Sequence, residues 1–409
     1  MINIKFLIIF IFVLNNEICC QKKKELLKPC LRKFTVVVDG GSTGTRLHFF
    51  EFIGNQTDMK MSFTDKISSK VALSKFSDAR ADWGLMRIMF INLTSFAMSK
   101  IPKECFNNTP IYVQVTAGVR QINQTMSNKI LNHIRSILFK LQFKFKAEFV
   151  GILSTDKEGI LAWVSVNFLL GKLQKNKCLD TVGVLDLGGG STQVAFATIN
   201  VNLIPKTTRM IIFNQEYYVY SGGYDYMGMD ETRIKYVNAS HCLGLQCTNQ
   251  VMRSECLHPD VKTNFQFGNR SITIGGMPVD NEIRFYNCLT KGINLATNIK
   301  PIRQNFRKMK FVAVSAYYYI IMSAFNIKKE KSDLTSYSLV KILCRATEIC
   351  KSPKTDTNNF QHLQCLDITY VYALLSKGYQ FHIYENIYFS KKINKISLSW
   401  ALGYAISKL

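Results

Sequence analysis

A pattern of strand, carboxylate, glycine-rich turn and strand occurs twice in this chain, and it constrains the fold more than any other feature. The first copy runs from Phe34 to Phe52, where FTVVV leads into Asp39, then GGSTGT, then RLHFFEF. The second copy runs from Val182 to Ala197, with VGVL, Asp186, LGGGSTQ and VAFA in that order. Runs of β-branched and aromatic residues favour strands, and the glycine cluster between them favours a tight turn.

Each turn has the chemistry of a phosphate site. A glycine-rich turn can aim several backbone N–H groups at one point because no Cβ blocks close approach. Ser and Thr hydroxyls add donors, and an aspartate at the preceding strand end can hold a hydrated divalent cation. A single copy is most often only a hairpin turn, and neither copy matches the Walker or Rossmann pattern. Two copies 147 residues apart are much harder to attribute to chance.

Length and composition indicate a large globular protein. A chain of 409 residues and 46.8 kDa exceeds one typical domain, so two domains are expected. The content of 47% hydrophobic and 20% charged residues is ordinary for a protein with a substantial core. The formal net charge of +24 raises the question of an anionic partner.

The N-terminus predicts entry into the secretory pathway. Lys5 precedes a nine-residue apolar run, Phe6 to Leu14, which is typical of a signal peptide cleaved near Cys20. An uncleaved anchor is the alternative. No later stretch reaches the roughly 18 apolar residues of a membrane helix, so we expect no span in the mature chain. Six glycosylation sequons agree with secretion: Asn55, Asn92, Asn107, Asn123, Asn238 and Asn269.

Ten cysteines follow the signal segment. None of their spacings is a paired C-x₂-C zinc pattern. Disulfides are the default in an oxidising compartment, but the residues alone leave the pairing open. The ten are Cys30, Cys105, Cys178, Cys242, Cys247, Cys256, Cys288, Cys344, Cys350 and Cys365.

Strand and helix patterns alternate between the two copies. Apolar positions within 71–101 have helical spacing, 111–120 begins as a buried strand, 126–141 is helical again, and 147–153 returns as a strand. This order fits an α/β domain with a crossover connection.

Glu158 is a second chemical candidate, in the segment STDKEG before the apolar run ILAWVSVNFLLG. Thr155 and Glu158 match a T-x-x-E capping box, in which the glutamate would only satisfy amides at the helix start. Alternatively, its carboxylate faces the phosphate turns and accepts a proton from water. The residues alone leave both interpretations open.

Five ordered blocks resemble the conserved blocks of the apyrases, the ecto-nucleoside triphosphate diphosphohydrolases of the actin-like superfamily. The blocks are DGGSTGTR (39–46), VTAGVR (115–120), STDKEGILAWVSVNFLLG (154–171), LDLGGGSTQ (185–193) and SAYYY (315–319), followed by SWALG (399–403). The likeness runs from about Thr35 to Leu409, and within the family it is greatest to the soluble secretory-pathway nucleoside diphosphatases.

The resemblance implies a two-lobed, actin-like (ribonuclease H-like) α/β fold with the active site in the interlobe cleft. We therefore expect a signal peptide at 1–20, an N-terminal lobe at 30–154 plus 391–409, and a C-terminal lobe at 155–390. The resemblance also implies the disulfides Cys256–Cys288 and Cys344–Cys365.

Roles at matching positions follow from the resemblance. Asp39 and Asp186 would hold Ca²⁺ or Mg²⁺ through its waters, with Thr116, Glu158 and Trp400 lining the hydration shell. Glu158 would be the base for an attacking water that Ser191 and Gln193 orient, and Thr116 belongs to the same catalytic set. The expected phosphate-binding residues are Gly41, Ser42, Thr43, Gly44, Thr45, Arg46, Arg120, Gly188, Gly189 and Gly190.

Base recognition is expected from the SAYYY block. Three adjacent tyrosines, Tyr317, Tyr318 and Tyr319, cannot all face the core, and a ring that lines a cleft could stack on a nucleobase. We assign this role to Tyr318 and Tyr319. The segment GGYDYMGMDETR (222–233) departs from the His-Ser-Tyr-Leu type of the family, so base and ribose recognition stays open.

The reaction that the resemblance implies is direct in-line attack of water on the terminal phosphorus of nucleoside di- or triphosphates, in the endoplasmic reticulum or Golgi lumen or outside the cell. No specific nucleic acid partner is expected, because no recognised nucleic-acid module is present. The sequence indicates no oligomeric state.

Two alternatives are considered. An exopolyphosphatase-like hydrolase shares the hairpins, but Gln193 and the secretory context argue against it. A non-catalytic basic secreted protein would capture polyanions, although the matched catalytic positions are intact. Its basic clusters would be Lys22 to Lys24 together with Lys300, Arg303, Arg307, Lys308 and Lys310.

Overall fold

The structure is a computed structural model that describes residues 32–409 apart from 56–58, 79, 174–179, 200, 202, 203, 205, 240–251, 268, 269, 300–308, 328–333 and 353–360. Several predicted features therefore lie outside the described residues: the signal peptide, Lys22 to Lys24, Cys30, Cys178, Cys242, Cys247, Asn269 and the basic residues from Lys300 to Lys308. Within the described ranges, no helix combines the length and apolar character needed to cross a membrane.

Strands and helices alternate along the described chain. The strands are β1 Lys33–Gly41, β2 Gly44–Ile53, β3 Lys60–Ser69, β4 Ile111–Val115, β5 Val150–Ile152, β6 Gly183–Leu187, β7 Ser191–Ala197, β8 Thr207–Ile212, β9 Gln215–Asp225, β10 Met252–Ser254, β11 Lys262–Phe267, β12 Arg270–Gly276, β13 Phe311–Ser315, β14 Thr335–Ser338, β15 Asn386–Phe389, β16 Lys392–Ile393 and β17 Ile396–Ser397. The helices are α1 Trp83–Met98, α2 Ala117–Arg120, α3 Gln124–Leu138, α4 Thr155–Leu169, α5 Met229–Ala239, α6 Asn281–Ala296, α7 Ala316–Ala324, α8 Leu339–Lys351, α9 Gln364–Ala373 and α10 Trp400–Ile406.

Two large sheets give the chain the two-lobed α/β fold of the actin-like type. The first has the order β3-β2-β1-β4-β5, and the second has the order β14-β15-β13-β6-β7-β9-β8. Within the second sheet, β9-β7-β6-β13-β15 repeats the arrangement of the first, with β8 and β14 added at the edges. In the first unit, β1 and β2 are an antiparallel hairpin and β4 runs parallel to β1. In the second unit, β6 and β7 are an antiparallel hairpin and β13 runs parallel to β6. The two glycine-rich patterns therefore occupy equivalent hairpins of two similar units.

Helices α4 and α10 pack against each other between the two sheets. Helix α4 contacts β6, β7 and β9 of the second sheet, and α10 contacts β1 and β2 of the first. Their side chains share one apolar cluster with Val37 from the first sheet and Val219 from the second. Helix α4 is buried almost all round, including the fully buried Trp163, which explains why its sequence has no polar face. The assignment of residues 391–409 to the N-terminal lobe stays a prediction.

The disulfide prediction is confirmed at one pair and wrong at the other. Cys256 pairs with Cys288 as expected, but Cys365 pairs with Cys350 rather than with Cys344, which is a free, exposed thiol. Both candidate partners lie on α8, and the six-residue spacing places their side chains about a third of a turn apart around the helix. Only Cys350 faces α9, where Cys365 is buried.

Candidate active site

The two hairpins place their aspartates at matching points. In the first hairpin Asp39 lies opposite Arg46, and a two-residue turn follows at Ser42 and Thr43. In the second hairpin Asp186 lies opposite Gln193, two residues before the turn 188–190. Both aspartates are buried. The same strand geometry thus presents one carboxylate from each unit, each facing a different cross-strand partner.

The turns of the two hairpins contact each other. A Cβ on Gly189 would lie 2.7 Å from Ser42 Oγ and 3.2 Å from Thr43 Cγ2. A Cβ on Gly190 would lie 2.6 Å from Ala117 Cβ, which begins α2 just after β4. Such distances are too short for ordinary packing, so glycine is required for this approach. The hairpins therefore face one another across the junction of the two sheets.

Three buried carboxylates influence each other at this junction. Burial raises the pKa of Asp39 to about 7; Arg46 opposes the rise, and Asp186 adds to it. Burial raises the pKa of Glu158 to about 8; Arg120 opposes the rise, while Asp186 and Asp39 add to it. Burial also raises the pKa of Asp186, against a hydrogen bond from the Ser315 side chain. Burial is the main cause in all three cases, so each carboxyl holds a proton more readily than it would in water.

Glu158 is free of helix capping. The N-cap of α4 is Ser154, whose side chain accepts from the Lys157 N–H at 3.4 Å. The capping-box interpretation of Thr155 and Glu158 is therefore wrong, because the N-cap lies one residue earlier and Glu158 does not occupy the position of the motif's glutamate. The Thr155 hydroxyl instead donates to Asp225 at 3.0 Å. The Glu158 carboxylate accepts from Arg120 at 3.3 Å, so it is directed towards the junction of the sheets.

Arg120 connects the two units at this point. Its guanidinium donates to Asp225 at 2.6 Å, to the Leu153 carbonyl at 2.6 Å and to Ser191 Oγ at 3.3 Å. Gln193 also donates to Ser191 Oγ, at 2.8 Å. Because the Ser191 oxygen accepts twice, its own hydroxyl hydrogen is available to a further group.

Three further predicted residues, Arg46, Thr116 and Thr45, lie in or beside the first hairpin. Arg46 donates to Thr43 Oγ1 at 3.0 Å, and its guanidinium lies 3.9 Å from Asp39. The Thr116 backbone N–H donates to the Gly40 carbonyl at 3.0 Å. The hydroxyl of the buried Thr45 donates to the Val71 carbonyl at 2.8 Å. Any phosphate contact of Thr45 would therefore come from its backbone.

Trp400 and the two tyrosines occupy different surroundings. Trp400 begins α10 and is buried in the apolar cluster between the sheets. Tyr318 is buried and lies under Lys391, whose Nζ is 5.0 Å from the ring centroid. Tyr319 is 63% exposed and packs edge-on against Tyr318 at 5.2 Å. A role in the metal shell for Trp400, and in base stacking for the tyrosines, stays a prediction.

Two residues of this site were not singled out by sequence reasoning. Asp225 ends β9 inside the segment that departs from the apyrase pattern, and the new charge in that segment was a usable signal. Ser315 belongs to the SAYYY block, but its contact with Asp186 comes from sheet register: β13 runs parallel to β6, with Val314 opposite Asp186. No local pattern reveals such a pairing.

Comparison with known proteins gives a match over nearly the whole chain. Residues 26–409 match the GDA1/CD39 (nucleoside phosphatase) family. The chain is 28% identical over 382 residues to human Nucleoside diphosphate phosphatase ENTPD5, covering 90% of this chain and 86% of that protein. It is 28% identical over 378 residues to Ectonucleoside triphosphate diphosphohydrolase 5 of Gallus gallus, with the same coverages. A crystal structure of nucleoside triphosphate hydrolases from Neospora caninum superposes with a TM-score of 0.67 at 13% identity, covering 97% and 96% of the two chains.

Proposed function

Because the chain belongs to the GDA1/CD39 (nucleoside phosphatase) family, we propose that it hydrolyses the terminal phosphate of nucleoside diphosphates, with triphosphates as a second substrate class. The observation that carries this proposal is the cluster of Asp39, Asp186 and Glu158, buried beside two glycine-rich turns that contact each other. The names of the human and chicken relatives point to the same chemistry.

A divalent cation, Ca²⁺ or Mg²⁺, completes the proposed site. Asp39 and Asp186 would hold it, with Thr116, Glu158 and Trp400 around its water shell. The donor set fits such an ion, since buried carboxylates repel each other and Oδ1 of Asp39 is buried without a hydrogen-bond partner. Oxygen donors of this kind suit hard cations. When bound, the ion neutralises charge on the phosphate oxygens.

Glu158 acts as the general base. Its carboxylate accepts a proton from a water, and the water oxygen bonds to the terminal phosphorus as the bond to the bridging oxygen breaks. Ser191 and Gln193 orient that water through the free hydroxyl hydrogen of Ser191. Phosphoryl transfer of this type depends on positioning and charge neutralisation rather than on a covalent nucleophile.

The glycine-rich turns bind the phosphates. Backbone N–H groups at Gly41 to Thr45 and at Gly189 and Gly190 donate to the phosphate oxygens, and Arg46 and Arg120 support the negative charge. The Gly188 N–H donates to the Ser191 carbonyl at 2.9 Å, so Gly188 would shape the turn rather than bind phosphate. The exposed ring of Tyr319, with Tyr318 beneath it, offers a surface on which the base can stack.

Substitution of Glu158 tests the mechanism. We expect Glu158→Gln to lower phosphate release by about 10²- to 10⁴-fold, the scale of general-base catalysis, while nucleotide binding is retained. Release is measured by phosphate assay and binding by equilibrium dialysis with a nucleoside diphosphate. Glu148→Gln, at a glutamate that is 68% exposed, is the matched control. Full activity of Glu158→Gln would remove Glu158 from the role of base.

A substrate panel tests the reaction itself. UDP, GDP, ADP, ATP and polyphosphate are each supplied with Ca²⁺, with Mg²⁺ or with a chelator. We expect metal-dependent release that is greatest from a diphosphate. Turnover of polyphosphate alone would indicate an exopolyphosphatase, and strong heparin binding without turnover would indicate a polyanion-binding protein.

The proposed compartment is the secretory pathway, either its lumen or the cell exterior. The predicted signal peptide and sequons support it, and so do the disulfides Cys256–Cys288 and Cys350–Cys365, because disulfides persist in oxidising surroundings.

A further inference from the structure

The junction between β13 and α7 has an unusual backbone. Ser315, the last residue of β13, has φ 59° and ψ −127°. This positive-φ conformation is natural for glycine and strained for a residue with a Cβ. Glycine would remove the strain, so a serine here requires a reason that involves its hydroxyl.

That hydroxyl does not cap the helix it precedes. Ser315 is the N-cap residue of α7, yet its side chain makes no capping hydrogen bond. Ser154 and Ser399, at the same position of α4 and α10, both accept from helix N–H groups. A hydrogen bond from the Ser315 side chain instead lowers the pKa of the Asp186 carboxyl, against the larger effect of burial. Serine is well suited to N-capping, but the Ser315 side chain interacts with Asp186 instead of with the helix.

Sheet register places Ser315 next to the strand end that carries Asp186. Strands β13 and β6 are parallel neighbours, with Val314 opposite Asp186 and Ser315 opposite Leu187. Ser315 is therefore one residue further along the adjacent strand, where the carboxyl ends of both strands meet the turn 188–190.

We infer that Ser315 is a positioning residue that holds the Asp186 carboxylate in the orientation needed to bind a divalent cation, and that its strained backbone is retained for this purpose. The inference rests on the proposed function, which gives Asp186 its cation. Hydrogen-bonded partners of metal-binding groups commonly fix ligand orientation, and their loss costs about 10- to 100-fold in metal affinity or activity.

Stability and metal affinity should respond to substitution in opposite directions. Ser315→Gly removes the hydroxyl and relieves the strain, whereas Ser315→Thr keeps a hydroxyl and adds a β-branch at a positive φ. We expect the glycine variant to bind Ca²⁺ or Mg²⁺ about 10-fold or more weakly than wild type, and to melt at a higher temperature than Ser315→Ala. We expect the threonine variant to melt below wild type and to bind metal more tightly than Ser315→Ala. Affinity is measured by calorimetric titration of the full chain with the metal ion alone, and melting by calorimetry without metal.

Asn326→Gly is the matched control. Asn326 follows the other end of α7 and also has a positive φ, 54°, so this change should leave metal affinity unaltered. Wild-type affinity in both Ser315→Gly and Ser315→Ala would overturn the inference, as would a wild-type chain that binds neither ion. A wild-type chain that binds Ca²⁺ but releases no phosphate from any nucleotide would overturn the proposed function, and the Ser315 comparison would still be read from the titrations.

Discussion

Arg120 forms hydrogen bonds that link the two units at the candidate site. It follows β4 of the first sheet, and its guanidinium contacts Glu158, Ser191 and Asp225. Because Glu158 is buried and surrounded by two aspartates, Arg120 is its principal counter-charge. Asp225 in turn fixes the guanidinium by accepting from both Nε and Nη2. The orientation of the proposed base therefore depends on a carboxylate that lies outside the five matched blocks.

Asp225 is expected to affect catalysis more than binding. Asp225→Asn removes the charge that fixes Arg120, so Arg120 should no longer hold Glu158 and Ser191 in one geometry. We expect kcat for nucleoside diphosphate hydrolysis to fall about 10-fold or more, since small misplacements of reacting groups have large effects. Steady-state kinetics measure this. Glu216→Gln disrupts the exposed Arg209–Glu216 pair and serves as the control; an equal loss in both variants would count against the role of Asp225.

At the scale of elements, helix α8 illustrates how a local choice between two similar residues is decided by the tertiary structure. Cys344 and Cys350 both follow helical spacing, and nothing near them in sequence says which faces Cys365. The packing of α8 on α9 selects Cys350 and leaves Cys344 on the surface.

Loss of the Cys350–Cys365 bridge is expected to destabilise the second unit. The bridge closes a sequence separation of 15 residues, for which chain entropy predicts a contribution of about 3 kcal/mol to the free energy of unfolding. Cys350→Ser should lose about this amount in chemical denaturation under non-reducing conditions. Cys344→Ser removes a thiol that has no bridge, and it should unfold like the wild type. If Cys344→Ser were less stable than Cys350→Ser, the result would favour the Cys344–Cys365 pairing that the resemblance implied.

The elements that sequence predicted correctly are those whose signals are local. Both glycine-rich hairpins, α1 and α3 follow from periodicity and turn chemistry, and the structure has all four. The start of α4 stays undecided from sequence because Ser154 and Thr155 are both good N-cap residues, and the T-x-x-E match fits only the second. The Arg120–Asp225 contact joins residues 105 positions apart, and the Ser315–Asp186 contact depends on the pairing of β13 with β6. Such contacts depend on how the sheets are assembled, which no short pattern encodes.

At the scale of the whole molecule, the two units are joined by the packing of α10 on α4. Gly403 of α10 approaches α4 so closely that a Cβ there would lie 2.0 Å from the Leu161 carbonyl oxygen. Backbone cannot move aside as a side chain can, so this glycine sets the distance between the two helices. The relation between the two sheets, and with it the separation of the two hairpins, depends on that distance.

Gly403→Ala is expected to weaken this junction. Overpacking of a well-packed interior typically costs about 1–3 kcal/mol, and we expect the melting temperature to fall by several degrees with reduced nucleotide hydrolysis. Calorimetry and phosphate release measure the two effects. In Gly151→Ala the new Cβ would lie 3.7 Å from its nearest neighbour, so this control should show neither effect. A Gly403→Ala protein as stable and active as wild type would show that the helices can separate freely.

The repeated strand order has a consequence for the direction of the substrate. Two hairpins with the same side chains would form a site with approximate two-fold rotational symmetry, in which a pyrophosphate could bind in either direction. Here the two sides of the site differ: Asp39 faces the cation Arg46, whereas Asp186 faces the neutral amide of Gln193. On the proposed function, a nucleotide is therefore bound with a defined head and tail. Its last phosphate would then lie on the Gln193 side, next to the water, and the rest of the molecule would point outward.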